Sequence, residues 1–491
     1  MAIALVVFYF VLIIAVALVL EVRRRKSALG NTSDGYSTGK NSLGFFACLG
    51  LMIGNVVGGV YVIGTPAGII STNLGYNWVF LGYAIGWGLV AFFLKYYRAA
   101  GAACGASTVG EVFEYYFSKR VNKVVSLMIL LAFAGSLSST LIGVSSILRS
   151  LLGIGYGLSY AVTIIVVLLI AILGGMAGLA RLNIVHIIFL ALAVIVLAAW
   201  AVNTTDGGFL AAWGAFSEAG HATMTGGIYS APTILMIIIG QPFVCVVSAM
   251  TIAGTVAAKD LKTARRVQIA LPIVAIIFIA CINVVGICGF FWGIEGESTW
   301  FDVAATLGPV ATAIACIAHL AAALSSDPAL ILMSGTIIVR EFCLPLSKRE
   351  WTEKEKIRLT RIVTIAFGFI FQIIGMFAGD IITVISNAYS VWAVCGLVMV
   401  ISLFWKRVNE VAVFWTMLVG AIVVAIWAFG GTFFSASGYL LGIPTQGIAL
   451  VVTIVMLVIL TFATSKNAIS ENYQKRIEAY AMLDASKQKD K

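Results

Sequence analysis

The sequence predicts an all-α polytopic membrane protein of about thirteen transmembrane helices, with a five-plus-five inverted repeat and a broken first helix in each repeat. Three observations lead there. The chain of 491 residues is 61% hydrophobic and 11% charged, about half the charged fraction of an ordinary soluble domain. Apolar runs of about 20 residues, each long enough to cross a bilayer, recur along its length. Two of those runs are interrupted by glycine, asparagine or proline at matching depth.

The run 2–20 ends at Glu21, followed by Arg23, Arg24, Arg25 and Lys26. A cleaved leader carries its positive charge before the apolar stretch. Here the order is reversed, so residues 1–26 are expected to form an extra, retained transmembrane helix with its N-terminus outside. Further spans are expected near 44–72, 76–98, 122–150, 158–179, 183–203, 228–256, 266–294, 304–339, 359–378, 381–404, 410–430 and 443–464. The charges support this threading. Of the 31 Lys and Arg residues only Arg149 falls at an external end, whereas Asp206, Glu218, Glu295, Glu297 and Asp302 fall outside. Basic residues stay on the cytoplasmic side, so the net charge of +10 is a topology signal and not a nucleic-acid footprint. A multi-pass protein of the cell membrane is expected. Its first five-helix repeat covers 41–205, the inverted second 226–405, two C-terminal helices 406–465 and a cytoplasmic tail 466–491. Residues 107–121 read as an amphipathic surface helix and 343–358 as a charged helical connector. Eight scattered cysteines lack metal or disulfide spacing, and His186, His221 and His319 are isolated, which argues against a metal cluster.

The interruptions point to function. The 44–72 span contains Gly54, Asn55, Gly58, Gly59, Gly64 and Pro66, and the 228–256 span contains Gly240, Gln241 and Pro242. Paired breaks in two inverted halves mark the midplane site of a transporter. The long run 303–339 carries Ser325, Ser326, Asp327 and Pro328 near its middle. Pro328 withdraws the donor that the Leu324 carbonyl would otherwise meet. Hydroxyl and carbonyl oxygens on a loosened turn suit a small hard cation. The plainer alternative is a proline kink whose serines bond back to their own helix.

These residues resemble the sodium:solute symporter family, which shares the inverted-repeat fold of the leucine transporter. The resemblance runs from about Asn41 to Trp427 and is strongest over 320–342, similar to the family's A-A-x-M-S-[ST]-x-x-S…E-D signature. Further matches are Ser107-Thr108 with Glu111, Gly174-Gly175, Gly240-Gln241-Pro242 with Lys259 and Arg265, and Ala388 to Ala393 followed by Trp405-Lys406-Arg407. The resemblance implies Na+ as coupling ion, held by the Ser325 and Ser326 hydroxyls and the carbonyls of Ala322, Gly54 and Val57. Asn183 stands where some members carry a carboxylate of a further sodium site, which puts a second sodium in doubt. The run Gly58-Gly59-Val60-Tyr61 is similar to the choline-transporting branch, but that branch's upstream tryptophan is absent.

A substrate belongs beside the two breaks. Candidate contacts are Asn55, Tyr61, Tyr83, Trp87, Ser138, Gln241, Asn387 and Tyr389, with Ser136, Ser139 and Trp392 nearby. Amides and hydroxyls among aromatic walls suit a small polar organic solute, whether amino acid, sugar, carboxylate, vitamin or amine. Asp327 is a candidate coupling group. The expected function is sodium-coupled symport into the cell by alternating access. The alternatives are proton coupling through Asp327 or uniport on the same fold. A channel fits the broken helices poorly, and an enzyme would need a catalytic constellation that the sequence does not offer.

Overall fold

The computed structural model describes residues 2–153, 155–347, 349–376, 381–434, 445–465, 469–478 and 481. Among them no strand forms, only isolated bridges at Leu43–Ala258 and Gly226–Tyr229, as expected where backbone groups must be satisfied within each segment. The first helices are α1 (Ala2–Lys26), α2 (Ser33–Ser37), α3 (Phe45–Val56), α4 (Gly59–Ser71), α5 (Trp78–Cys104), α6 (Val109–Tyr116) and α7 (Lys119–Leu152). Then come α8 (Tyr156–Ile172), α9 (Gly175–Thr204), α10 (Gly208–Glu218), α11 (Ala231–Val247), α12 (Ala249–Ala257), α13 (Leu261–Phe291) and α14 (Thr299–Leu307). The last are α15 (Pro309–Ile338), α16 (Leu344–Leu346), α17 (Glu353–Met376), α18 (Ile381–Phe404), α19 (Glu410–Phe434) and α20 (Thr445–Thr464).

Most expected spans fall on one helix or on a broken pair, but 158–179 runs over the end of α8 into α9 and 304–339 begins inside α14. Among the described residues eight helices are long and apolar enough to cross a membrane, nine when the bent pair α11–α12 is one span. The count of thirteen crossings remains an expectation of the sequence. Of the eight long spans the most buried is α15, enclosed by α9, α17, α7 and α3, while α5 packs on α11 and α13.

The first break lies where the sequence places it. Val57 leaves helical geometry (φ −102°, ψ 62°), Gly58 is extended, and α4 restarts at Gly59. The second lies elsewhere. Gly240, Gln241 and Pro242 are inside α11, and the chain bends by 43° at Ser248. One missing donor at a proline is tolerated inside a packed membrane helix, so Pro242 does not set the break. Pro328 likewise leaves α15 continuous, and the irregular turn of that segment is a π-helix at Val339–Cys343.

Three smaller expectations are corrected. The junction expected near 179–183 falls at Gly174 and Gly175, both at positive φ (73° and 63°). A Cβ on Gly175 would lie 2.5 Å from the Tyr36 carbonyl oxygen, so only glycine fits both the dihedral and the contact. The helix expected on the surface at 107–121 is α6, opened by a Thr108–Glu111 capping box, with Val109, Val112, Phe113 and Tyr116 buried in the protein. The connector 343–358 is not one helix, because α16 ends at Leu346 and α17 begins at Glu353.

The half-helices α3 and α12 are tied at one end. The Asn41 N–H donates to the Val256 carbonyl (2.9 Å), Leu43 to Ala257 (2.8 Å), and Lys259 back to Leu43 (2.9 Å). The two broken helices therefore meet as a unit below their breaks.

Candidate sodium and substrate sites

A helix that stops leaves its last carbonyls without intrahelical donors. At the end of α3 the Val57 N–H takes the Ile53 carbonyl (2.8 Å), and the chain then turns away, leaving the Gly54 and Val57 carbonyls at the break. Facing them is α15. A Cβ on Gly54 would stand 2.7 Å from the Ser325 carbonyl oxygen and 2.8 Å from its Oγ, and one on Gly58 would stand 3.6 Å from Ser326 Oγ. Gly54 is thus glycine because two backbones nearly touch there. Ser325 Oγ donates to the Ala322 carbonyl at 2.8 Å, and Ser326 Oγ lies 3.2 Å from the carbonyls of Ala322 and Ala323. The serines do bond back to their own helix, but a donating hydroxyl keeps its lone pairs. The break and the hydroxyl-bearing turn of α15 thus lie against each other, and neutral hydroxyl and carbonyl oxygens are the donor type that suits a small hard cation.

Asn183 explains its own departure from the family pattern. Its buried side-chain amide donates to the Ser325 carbonyl at 2.6 Å and reaches the Gly50 carbonyl at 3.4 Å. A neutral double donor therefore joins α9 to α3 and α15, the two helices that carry the candidate sodium ligands. Asn183→Ala should raise the sodium concentration for half-maximal transport severalfold, and Asn183→Asp should do so more, by setting a carboxylate against two carbonyls. The loss corresponds to about 1 kcal/mol for one buried hydrogen bond. Sodium-activation curves for both variants check it, and unchanged curves would detach Asn183 from the site.

The substrate candidates gather on α4, α5, α11 and α18. The Tyr61 ring stands edge-on to Phe80 (4.9 Å between centroids) and to Tyr83 (6.4 Å). Tyr83 stacks on Trp87 (5.5 Å) and meets Tyr389 edge-on (6.2 Å), which in turn lies 5.4 Å from Trp392. Gln241 closes one side, its Cβ where a Cβ on Gly82 would approach to 2.8 Å. The Tyr389 phenol faces Ser136 and Tyr61, with the buried Asp327 carboxylate in the neighbourhood. Asp327 therefore lies towards the aromatic cluster. Within the cluster the buried atoms Tyr83 Oη, Gln241 Oε1 and Trp392 Nε1 have no hydrogen-bond partner among the described residues. One acceptor and two donors thus lie among six aromatic side chains. Asn55, Ser138 and Asn387 sit on α3, α7 and α18, with side chains outside the described residues. Phe80 was missed by sequence reasoning, although its spacing with Tyr83 and Trp87 puts all three on one helix face.

Below both sites one face is closed by ion pairs. Arg340 binds Asp34 (2.5 Å) and Glu111 (2.7 Å), while Glu341 accepts from Thr108 and Asn122. Glu21 holds Arg24, Arg25 and Arg361, and Glu353 accepts from the Ser33 N–H (2.6 Å). Arg340→Gln would leave Asp34 and Glu111 without their shared counter-charge. In a background whose sole cysteine is the buried Cys48 of α3, it should speed labelling by a maleimide severalfold. An unchanged rate would show that Arg340 does not hold this face shut.

A multi-helix bundle with a broken helix against a hydroxyl-bearing one, and a polar aromatic cluster beside it, defines a secondary transporter. The model of the sodium:solute symporter family matches residues 36–420, and the chain belongs to that family. It is a multi-pass membrane transporter coupled to Na+, not an enzyme. The osmoregulated proline transporter OpuE of Bacillus subtilis is 25% identical over 75% of this chain and 78% of its own length. A sodium/proline symporter of Staphylococcus aureus is 22% identical over 82% of each chain. Among solved structures, a substrate-bound outward-open Na+-coupled sialic acid symporter superposes with a TM-score of 0.79 at 16% identity, covering 94% of this chain and 98% of that one. MhsT in complex with L-phenylalanine gives 0.52 at 18%, covering 85% and 98%. Likeness at these identities shows the fold.

Proposed function

We propose that the protein imports a small polar organic solute together with Na+, an amino acid of the proline type being the first candidate. The observation that carries this reading is the approach of Gly54 and Gly58 to Ser325 and Ser326, one helix turn from the aromatic cluster that begins at Tyr61. An ion held by Gly54, Val57, Ala322, Ser325 and Ser326 would fasten α3 and α4 to α15. Its occupancy then favours the conformation in which the substrate cluster is complete, and coupling needs no more than that differential affinity. Tyr61, Tyr83, Trp87 and Tyr389 supply walls, Gln241, Asn55, Asn387 and Ser138 supply polar contacts, and Asp327 is the proposed coupling group. The repeats over 41–205 and 226–405, the external N-terminus and the cytoplasmic C-terminus belong to the same reading. Proline enters because relatives similar to this chain carry that name. A compact secondary ammonium also suits aromatic faces.

The test is uptake of labelled proline into proteoliposomes under an inward sodium gradient, with an amino-acid, sugar and amine panel as competitors. Accumulation above the external concentration that collapses with a sodium ionophore is expected. Accumulation driven only by a proton gradient would move the coupling to Asp327, and equilibration without accumulation would make the protein a uniporter.

A further inference from the structure

The segment after α20 forms a short helix over residues 471–478 that docks on the α18–α19 turn. Its first anchor is the Ser470 N–H, which donates to the Lys406 carbonyl (2.8 Å). Within the dock, Arg476 is only 9% exposed. Its guanidinium lies 4.0 Å from the Tyr473 ring centroid and 6.0 Å from that of Phe404, and neither Nε nor Nη1 has a hydrogen-bond partner among the described residues. A guanidinium does not shed its proton, so a buried one calls for an anion. The acidic residues on its helix do not neutralise it. Glu471 pairs with Lys475 (3.0 Å), and the exposed Glu478 forms no ion pair with Arg476 among the described residues. Two more exposed cations stand beside it, Lys406 over the Tyr473 ring (5.6 Å) and Arg407 over Phe462 (5.9 Å).

The surroundings select the anion. Phe404 and Phe462 are large rings exposed at the ends of α18 and α20, at 60% and 63%, with Trp405 edge-on to Phe462 at 5.7 Å. Exposed aromatic rings at helix ends mark the level where hydrocarbon meets headgroups, and a basic pocket at that level meets the phosphate of an anionic lipid. We infer that Arg476, with Lys406 and Arg407 at its rim, forms a binding site for the phosphate of an anionic phospholipid in the leaflet on the basic face. The tail helix is thereby held against the membrane-facing turn.

The full-length protein is melted in detergent micelles doped with phosphatidylglycerol, with phosphatidylcholine at the same level, and with inorganic phosphate alone. Each variant is compared with itself, so a change in its own stability cancels. Phosphatidylglycerol should raise the midpoint by about 2 °C or more over phosphatidylcholine, Arg476→Gln should lose at least half of that rise, and Lys262→Gln, an exposed cation on another helix, should keep it. Equal retention by the two variants, or equal loss, would overturn the site as a general charge effect. A rise of the same size with inorganic phosphate, lost in Arg476→Gln, would overturn the lipid as its occupant.

Discussion

Ser325→Ala should raise the sodium concentration for half-maximal transport about tenfold or more, whereas Ser334→Ala on the same helix should leave it unchanged. Both serines are buried and both donate to their own helix, Ser325 to Ala322 at 2.8 Å and Ser334 to Leu330 at 2.9 Å. Deleting either hydroxyl therefore costs the same kind of intrahelical bond. Only Ser325 also lies against the unwound end of α3, where the Gly54 Cβ position is 2.8 Å from its Oγ. A difference between the two variants thus isolates ligation from helix stability. A second measurement needs no substrate. A ligand that binds only the folded state stabilises it by about 1.4 kcal/mol at ten times its Kd, so the melting temperature in sodium chloride should exceed that in potassium chloride at matched ionic strength. The excess should vanish in Ser325→Ala and survive in Ser334→Ala. An excess surviving in Ser325→Ala would remove that hydroxyl from the ion site, and no excess in the wild-type protein would direct attention to pH and to Asp327→Asn.

The first break and its hydroxyl-bearing partner were legible in the sequence for a physical reason. In an apolar run, glycine pairs and adjacent hydroxyls are costly and stand out, so Gly54 to Gly59 and Ser325-Ser326 could be read as a break and its partner. Proline was a poorer guide. Pro242 and Pro328 both sit in helices that continue through them, because surrounding helices re-satisfy the one missing bond, and the second break came to rest at Ser248, which has no such signal. The inward burial of α6 was also hidden, since a helix with an apolar stripe reads alike whether it meets lipid or protein. What Asn183 does could not be read at all. Its role lies in two distances to backbone carbonyls on other helices, and such distances follow from packing, not from pattern.

The same holds for Gln241, whose structural setting yields a prediction with two opposite signs. It was singled out as part of a helix break, yet it lies within α11. What matters is its contact with α5, where Gly82 offers no side chain and the Gln241 Cβ fills the space at 2.8 Å from where a Cβ would stand. Beyond that contact the amide ends with Oε1 buried and without a partner among the described residues. A buried unsatisfied acceptor destabilises the protein by about 1–3 kcal/mol unless something donates to it. Gln241→Leu keeps the volume and removes the acceptor, so it should raise the melting temperature measured without substrate. The same change should weaken apparent substrate affinity about tenfold, since a donor on the solute then meets a methyl group. Sodium-dependent stabilisation should be untouched, because Gln241 is not among the proposed ligands of the ion. A packing residue would give the reverse pattern, lower stability with an unchanged KM. The two readouts, the melt and the uptake curve, therefore separate a substrate contact from a structural one in a single variant.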